Sequence, residues 1–221
     1  MLRSLTYGAI GLARNAIAAI VLVNGAAQAE TVTIAALGDS LTQGYGLIEQ
    51  EGFVPRMEAW LRDQGAEVDI INAGVSGDTT AGGLSRVEWT LTPRVDALIV
   101  ALGGNDMLRG IAPEVARANL DGIMQAAEAA DKPVLLIGME APGNYGPDYK
   151  SAFDSIYPDL ANSYDSLLFD NFFEGIMSDD LSSARARYMQ PDGIHPNAEG
   201  VDRIVAAMGP AVLDLVARVD D

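Results

Sequence analysis

Two spacings of apolar residue alternate along this chain. Largely apolar runs from Val32 to Leu37, Val68 to Ile71, Val95 to Leu102 and Pro133 to Met139 predict buried strands, the third being apolar throughout except for Asp96. A weaker run, Leu167 to Phe169, predicts a fifth. Between them, apolar residues recur at steps of three and four. Phe53, Met57, Trp60 and Leu61 mark one helix stopped by Gly65; Leu84, Val87 and Leu91 mark a second that must end by Pro93. Ala116, Leu120, Ile123, Met124 and Ala127 form one face of a helix from Pro113 to Ala130. Phe153, Ile156 and Leu160 predict another. Val201, Ile204, Val205 and Met208 open a terminal helix capped by Asn197, which Gly209-Pro210 is expected to kink or split. Asp170 to Arg187 is the least legible stretch, with Phe172, Phe173, Ile176 and Met177 crowded together.

Strands alternating with helices through short connections predict a three-layer α/β/α sandwich around a mostly parallel five-stranded sheet. In such a fold the loops leaving the strands open on one edge. Four loops here are polar and glycine-rich: Gly38-Asp39-Ser40, Asn72 to Thr80, Gly103-Gly104-Asn105-Asp106, and Asp192-Gly193-Ile194-His195-Pro196 near the end. Glu140 to Asp148 is a further loop, holding Pro142, Gly143, Gly146 and Pro147.

Composition removes several alternatives. The 221 residues suit one α/β domain, and 49% apolar content supports a full core. With 14 basic against 31 acidic residues the formal charge is −17, which disfavours nucleic acid and anionic membrane surfaces as partners. No cysteine is present, so thiol catalysis, disulfides and zinc–thiolate sites are excluded. A single histidine, His195, excludes a histidine-rich metal site, and only Lys132 and Lys150 are available for a Ser-Lys mechanism.

Residues 1–29 read as a cleaved signal peptide, leaving residues 30–221 as the functional domain. Arg3 and Arg14 precede the apolar run Ala16 to Val23, Ala27-Gln28-Ala29 has a small-x-small cleavage form, and no acid occurs before Glu30. The alternative, a membrane-anchoring first helix, is weakened by an apolar run shorter than the ~20 residues of a span. Cleavage after Ala29 predicts a periplasmic or secreted protein with no stable membrane anchor.

A serine hydroxyl becomes a useful nucleophile only beside a base. Ser40 stands at the end of the first strand, and His195 is the one base on offer. Asp192, three residues before His195, lies within one turn and can orient the imidazole. Backbone N–H groups of Ser40 and Gly77, with the Asn105 amide, can supply donors to an oxyanion. Other readings exist for each: Ser40 as a helix cap, Gly77 as a turn former, Asn105-Asp106 as a cap. A metal phosphoesterase built on Asp39, Asp106, Asp192 and His195 is a further alternative.

In conjunction, Gly38-Asp39-Ser40-Leu41, Asn72-x-Gly74-x-x-Gly77-Asp78, Gly103-Gly104-Asn105-Asp106 and Asp192-Gly193-Ile194-His195-Pro196 resemble the SGNH (GDSL) hydrolase superfamily across nearly the whole mature chain. Ser40, Gly77, Asn105 and His195 match its four name-giving positions, and Asp192 its acid. More narrowly, Gly77-Asp78-Thr79-Thr80, Gly104 to Gly110 and Pro142 to Gly146 are similar to the group of multifunctional acyl-CoA thioesterase I, lysophospholipase L1 and bacterial arylesterase. The resemblance implies a flavodoxin-like SGNH hydrolase fold and a serine esterase or thioesterase acting on small acyl esters or thioesters without metal or organic cofactor. It also implies that the segment from Met107 to Pro113 and the Glu140 to Tyr145 loop contact the acyl group. Met107, Leu108, Ile111 and Pro142 are accordingly the expected substrate-binding residues, with Phe172, Phe173, Ile176 and Met177 as further candidates. A carbohydrate O-acetyl esterase on the same fold, or a non-catalytic acyl- or glycan-binding protein, are the rival functions.

Overall fold

The structure, a computed structural model, describes residues 30–177 and 181–219, so the expected signal peptide over residues 1–29 lies outside the described residues. Five strands alternate with helices: β1 (Val32–Gly38), β2 (Val68–Gly74), β3 (Ala97–Ala101), β4 (Val134–Ile137) and β5 (Leu167–Phe169). They form one sheet in the order β2-β1-β3-β4-β5, and every pairing is parallel. Parallel strands covered on both faces must be apolar throughout, and β3 and β4 are buried at every position.

The helices, in chain order, are α1 (Ser40–Gln43), α2 (Phe53–Asp63), α3 (Thr80–Thr90), α4 (Gly104–Leu108), α5 (Pro113–Ala129), α6 (Pro147–Asp154), α7 (Ile156–Ser163), α8 (Leu181–Tyr188) and α9 (Ala198–Ala217). Helices α2 and α9 pack together in one outer layer, while α3, α5, α6 and α7 form the other. The three-layer sandwich expected from the alternation of periods is the fold observed.

From β1 the chain first crosses to β2, then returns past β1 to β3. Connections therefore diverge between β1 and β3, and a crevice opens there at the carboxyl ends of the strands. Register sharpens this: Gly38 of β1 lies opposite Gly74 of β2 and Ala101 of β3. Three loops thus leave the sheet at one height.

Local differences from the expected elements have physical causes. Strand β2 continues past Ile71 because its backbone pairs with β1 through Gly74, whatever the polarity of Asn72. The helix expected through Phe153 and Leu160 is two, α6 and α7, broken at Ser155. Pro158 has no N–H to donate, and restarting the helix at Ile156 places it in a first turn, where none is needed. Helix α9 is not split at Gly209-Pro210. It runs unbroken from Ala198 to Ala217 with Pro210 inside it. Val201, Ile204, Val205 and Met208 before the proline, and Val212 and Leu215 after it, are all buried, so packing on both sides outweighs one missing hydrogen bond. Gly209 is where α9 meets Trp60 of α2, since a side chain there would run into the indole ring. Asn197 caps α9 as expected, its Oδ1 accepting the Gly200 N–H at 2.9 Å.

Candidate active site

Strand β1 ends in a device that presents Ser40. The Asp39 carboxylate accepts the Leu41 N–H at 3.0 Å and so caps α1, fixing Ser40 as the first residue of a four-residue helix at the sheet edge. Asp39 is only 2% exposed. Burial pushes its carboxyl up from 3.8 to about 6, against the opposing pull of the Leu41 N–H, the Asn105 amide and His195.

The last loop brings the imidazole to that hydroxyl. His195 Nε2 lies 2.8 Å from Ser40 Oγ, and its Nδ1 lies 2.7 Å from Asp192 Oδ2. The positive φ of Gly193, 65°, folds the loop back so that Asp192 reaches the ring three residues later. The other oxygen of Asp192 accepts the N–H groups of Ile194 at 2.9 Å and His195 at 3.1 Å. These bonds, that from the imidazole first, hold the Asp192 carboxyl down at about 2. With Asp192 ionised, Nδ1 carries the proton and Nε2 is free to accept one from Ser40. The Tyr45 ring covers the imidazole, centroid to centroid 4.6 Å.

Two further loops complete the edge. Asn105 donates its Nδ2 to Asp39 Oδ2 at 3.1 Å, which leaves the second N–H of that amide uncommitted to this bond. Gly77, at φ 83°, takes a conformation that a Cβ would strain, and the Arg109 guanidinium grips its carbonyl at 2.7 Å. The loop carrying Gly77 hangs from β1 by the Val75 N–H bond to Gly38 O at 3.0 Å. Arg86 reinforces it, donating to Asp78, Ala73 O and Gly38 O at 2.7, 2.7 and 2.8 Å. Asp106 is fully buried and ties α4 to the start of α3, accepting the Thr80 N–H at 2.8 Å and the Thr80 hydroxyl at 2.6 Å. The rigid frame under the loops is thus polar, and each of its charges is partnered.

Asp39, Asp106 and Asp192 each serve separate donors, and among the described residues no group of three carboxylates and histidine converges on a point that could hold a metal. The metal phosphoesterase arrangement is absent from this edge.

Beside Ser40 lies an apolar groove of about 360 Å³. Met107 and Leu108 line it as expected, with Phe173, Ile176 and Met177 from the poorly legible region. Pro142 belongs to an adjoining hollow that shares Met107, Met139, Phe173 and Met177. Two expectations fail. Ile111 is not among the groove's residues: the chain turns at Gly110 (φ 65°), and the Ile111 carbonyl accepts the Tyr149 hydroxyl at 2.9 Å instead. Phe172 is core, 1% exposed and packed on Phe53 at 5.4 Å between ring centroids. Sequence reasoning missed Met139, Met189 and Ile194 in the groove, and Tyr45 and Gln190 beside the histidine. Only the proximity of Met189, Gln190 and Ile194 to the His195 motif hinted at theirs.

With this geometry in place, relatives become informative. Residues 36–203 match the GDSL-like lipase/acylhydrolase family. Over 199 residues the chain is 37% identical to "Esterase TesA" of Pseudomonas aeruginosa, covering 90% of this chain and 95% of that protein. It is 36% identical over 199 residues to "Thioesterase 1/protease 1/lysophospholipase L1" of Escherichia coli, covering 89% and 90% respectively. Among solved structures it is similar to AlinE4, an SGNH-hydrolase family esterase, at 45% identity and a TM-score of 0.68, covering 84% of this chain and 96% of that one. The strand order, the loops at one sheet edge and these similarities agree: the chain belongs to the GDSL-like lipase/acylhydrolase (SGNH hydrolase) family of ester-cleaving enzymes.

Proposed function

We propose that the protein is a serine hydrolase of acyl esters or thioesters, with Ser40 as nucleophile, His195 as general base and acid, and Asp192 as the group that orients the histidine. The carrying observation is the unbroken relay from Ser40 Oγ to Nε2 at 2.8 Å and from Nδ1 to Asp192 at 2.7 Å. In this reading Ser40 Oγ attacks the acyl carbonyl carbon as its proton passes to Nε2, and the imidazolium is stabilised by ionised Asp192. The carbonyl oxygen takes the negative charge, held by the Ser40 and Gly77 N–H groups and the free N–H of the Asn105 amide. Collapse expels the alcohol or thiol, which takes the proton from Nε2, and leaves an acyl-serine. Water, deprotonated by Nε2, then attacks the same carbon and releases the acid and Ser40. No step calls for a metal or organic cofactor.

The apolar lining of the groove supports an acyl chain over an acetylated sugar. The substrate is therefore read as a small acyl ester or thioester of the arylesterase, lysophospholipase or acyl-CoA type. Residues 1–29, by their basic start, apolar run and Ala27-Gln28-Ala29, support an exported protein with residues 30–221 as the mature domain. No described helix is long and apolar enough to cross a membrane.

The test is a panel of p-nitrophenyl esters, from acetyl to decanoyl, on the wild type and Ser40→Ala. The wild type should turn over several of them, and Ser40→Ala should lose at least ~10³-fold in kcat. A preference for acetylated xylose over every acyl ester would transfer the reading to a carbohydrate esterase. A Ser40→Ala enzyme of near wild-type activity would remove the nucleophile.

A further inference from the structure

The nucleophile and its base come from segments 155 residues apart in the chain. A separation of 2.8 Å between them requires that their two loops be held at fixed distance, yet neither side chain does this itself. Besides the packing of Tyr45 on His195, a hydrogen-bonded link joins the two loops. Gln190 donates through the same Nε2 to Tyr45 O at 2.8 Å and to Pro196 O at 3.0 Å. The first carbonyl belongs to the serine loop, where the Tyr45 N–H bonds Ser40 O at 3.1 Å. The second belongs to the residue after His195, and the Gln190 backbone N–H holds His195 O at 2.7 Å. A primary amide has two N–H donors, and both are used, one for each loop.

The orientation of this amide is dictated by its surroundings. Both neighbours on the nitrogen side are carbonyl acceptors, and an oxygen turned toward them would be repelled. The Oε1 end lies over Gly46, which has φ 77° and no side chain; a Cβ there would collide with Oε1. The glycine thus leaves room for the glutamine. Gln190 is half-buried and stays outside the acyl groove, so it has no contact with a chain bound there.

We propose that Gln190 is a positioning residue that straps the serine loop to the histidine loop and sets the Ser40–His195 distance. The inference rests on the reading of Ser40 and His195 as nucleophile and base. Loosening the strap lengthens or misaligns one proton-transfer contact and leaves the groove intact. Misplacement by about 1 Å can cost on the order of 10²-fold in rate.

Gln190→Met and Gln190→Glu keep the length of the side chain and, at neutral pH, offer the two carbonyls no donor. With p-nitrophenyl butyrate, both should lose about tenfold or more in kcat while KM stays within about twofold. The rate of Ser40 modification by diethyl p-nitrophenyl phosphate, which needs the same activated hydroxyl, should fall by a similar factor. Gly46→Ala, with Gln190 retained, should reproduce both losses by displacing the amide, and it serves if the Gln190 variants do not fold. Unchanged kcat, or a loss confined to KM, overturns the strap. Ser40→Ala runs alongside: if it remains active, the nucleophile reading fails, whereas an inactive Ser40→Ala beside fully active Gln190 variants sinks the strap alone.

Discussion

Asp39→Asn should stabilise the fold, or leave it unchanged, while damaging catalysis. The carboxyl of Asp39 is buried beside Ser40 and raised from 3.8 to about 6. Two pH units correspond to about 3 kcal/mol of penalty for holding it ionised in the folded protein at neutral pH. The folded pKa is above the unfolded one, so between pH 6 and 4 the folded state binds more protons. The penalty is complete above about pH 6 and is relieved as pH falls toward 4. Asparagine removes the penalty. Its oxygen can still accept the Leu41 N–H, but its nitrogen then faces Asn105 Nδ2, donor against donor. The bonds from Leu41 and Asn105 are already counted in that penalty, so what remains against the variant is one donor left facing another, about 1–3 kcal/mol. The net change at pH 7.5 is therefore between about 0 and +2 kcal/mol in favour of the variant, and it moves against the variant as pH falls to 5. Catalysis has no such compensation. To escape the clash the Asn105 amide must flip and present its oxygen where an oxyanion needs a donor, a loss of about 10²–10³-fold in kcat. Urea unfolding at pH 7.5 and 5, with p-nitrophenyl butyrate turnover, reads both effects. A variant with kcat within threefold of wild type would refute the assignment of Asp39 as the residue that aims Asn105, and a ΔΔG flat with pH would refute the burial penalty.

Asp192 is held at about 2, so it stays ionised from pH 5 to 8. Asp192→Asn should lose about 10²–10⁴-fold in kcat for p-nitrophenyl butyrate at pH 8; a loss under threefold would show that the carboxylate does not orient His195. Thr80→Val removes the hydroxyl donor to buried Asp106 and the acceptor for Asn119, and should destabilise by about 2–3 kcal/mol in urea unfolding. Stability within 0.5 kcal/mol of wild type would show that Asp106 finds another partner. Phe173→Ala opens one wall of the groove: kcat/KM for an octanoyl ester should drop about tenfold with the acetyl ester within twofold. Equal losses on both esters would place Phe173 in the frame and not in the acyl wall.

How much of this was legible beforehand follows from what a linear pattern can encode. Apolar runs such as Val95 to Leu102 must be buried wherever they go, so the strands, the alternating helices and the sandwich could be read directly. The meeting of Ser40, His195 and Asp192 was legible for a different reason. With no cysteine and one histidine, the choice of a partner for the Ser40 hydroxyl narrowed to His195, and Asp192 stood within one turn of it. What the pattern could not encode are contacts made through backbone groups or between distant segments. Gln190 binds two carbonyls, which any residue would supply, so nothing in the sequence of residues 45 or 196 announces the strap. Ile111 and Phe172 are as apolar as Met107 and Phe173, and only the turn at Gly110 and the packing on Phe53 send them away from the groove. Helix α9 passes Pro210 because burial on both sides outweighs a local rule. The sequence by itself determined which segments are buried and which polar side chains stand in the loops; the parallel register, which lifts Gly38, Gly74 and Ala101 to one height, decided which of those side chains meet. Hydrophobic burial is written residue by residue, whereas meeting at 2.8 Å depends on a backbone frame that no single residue carries.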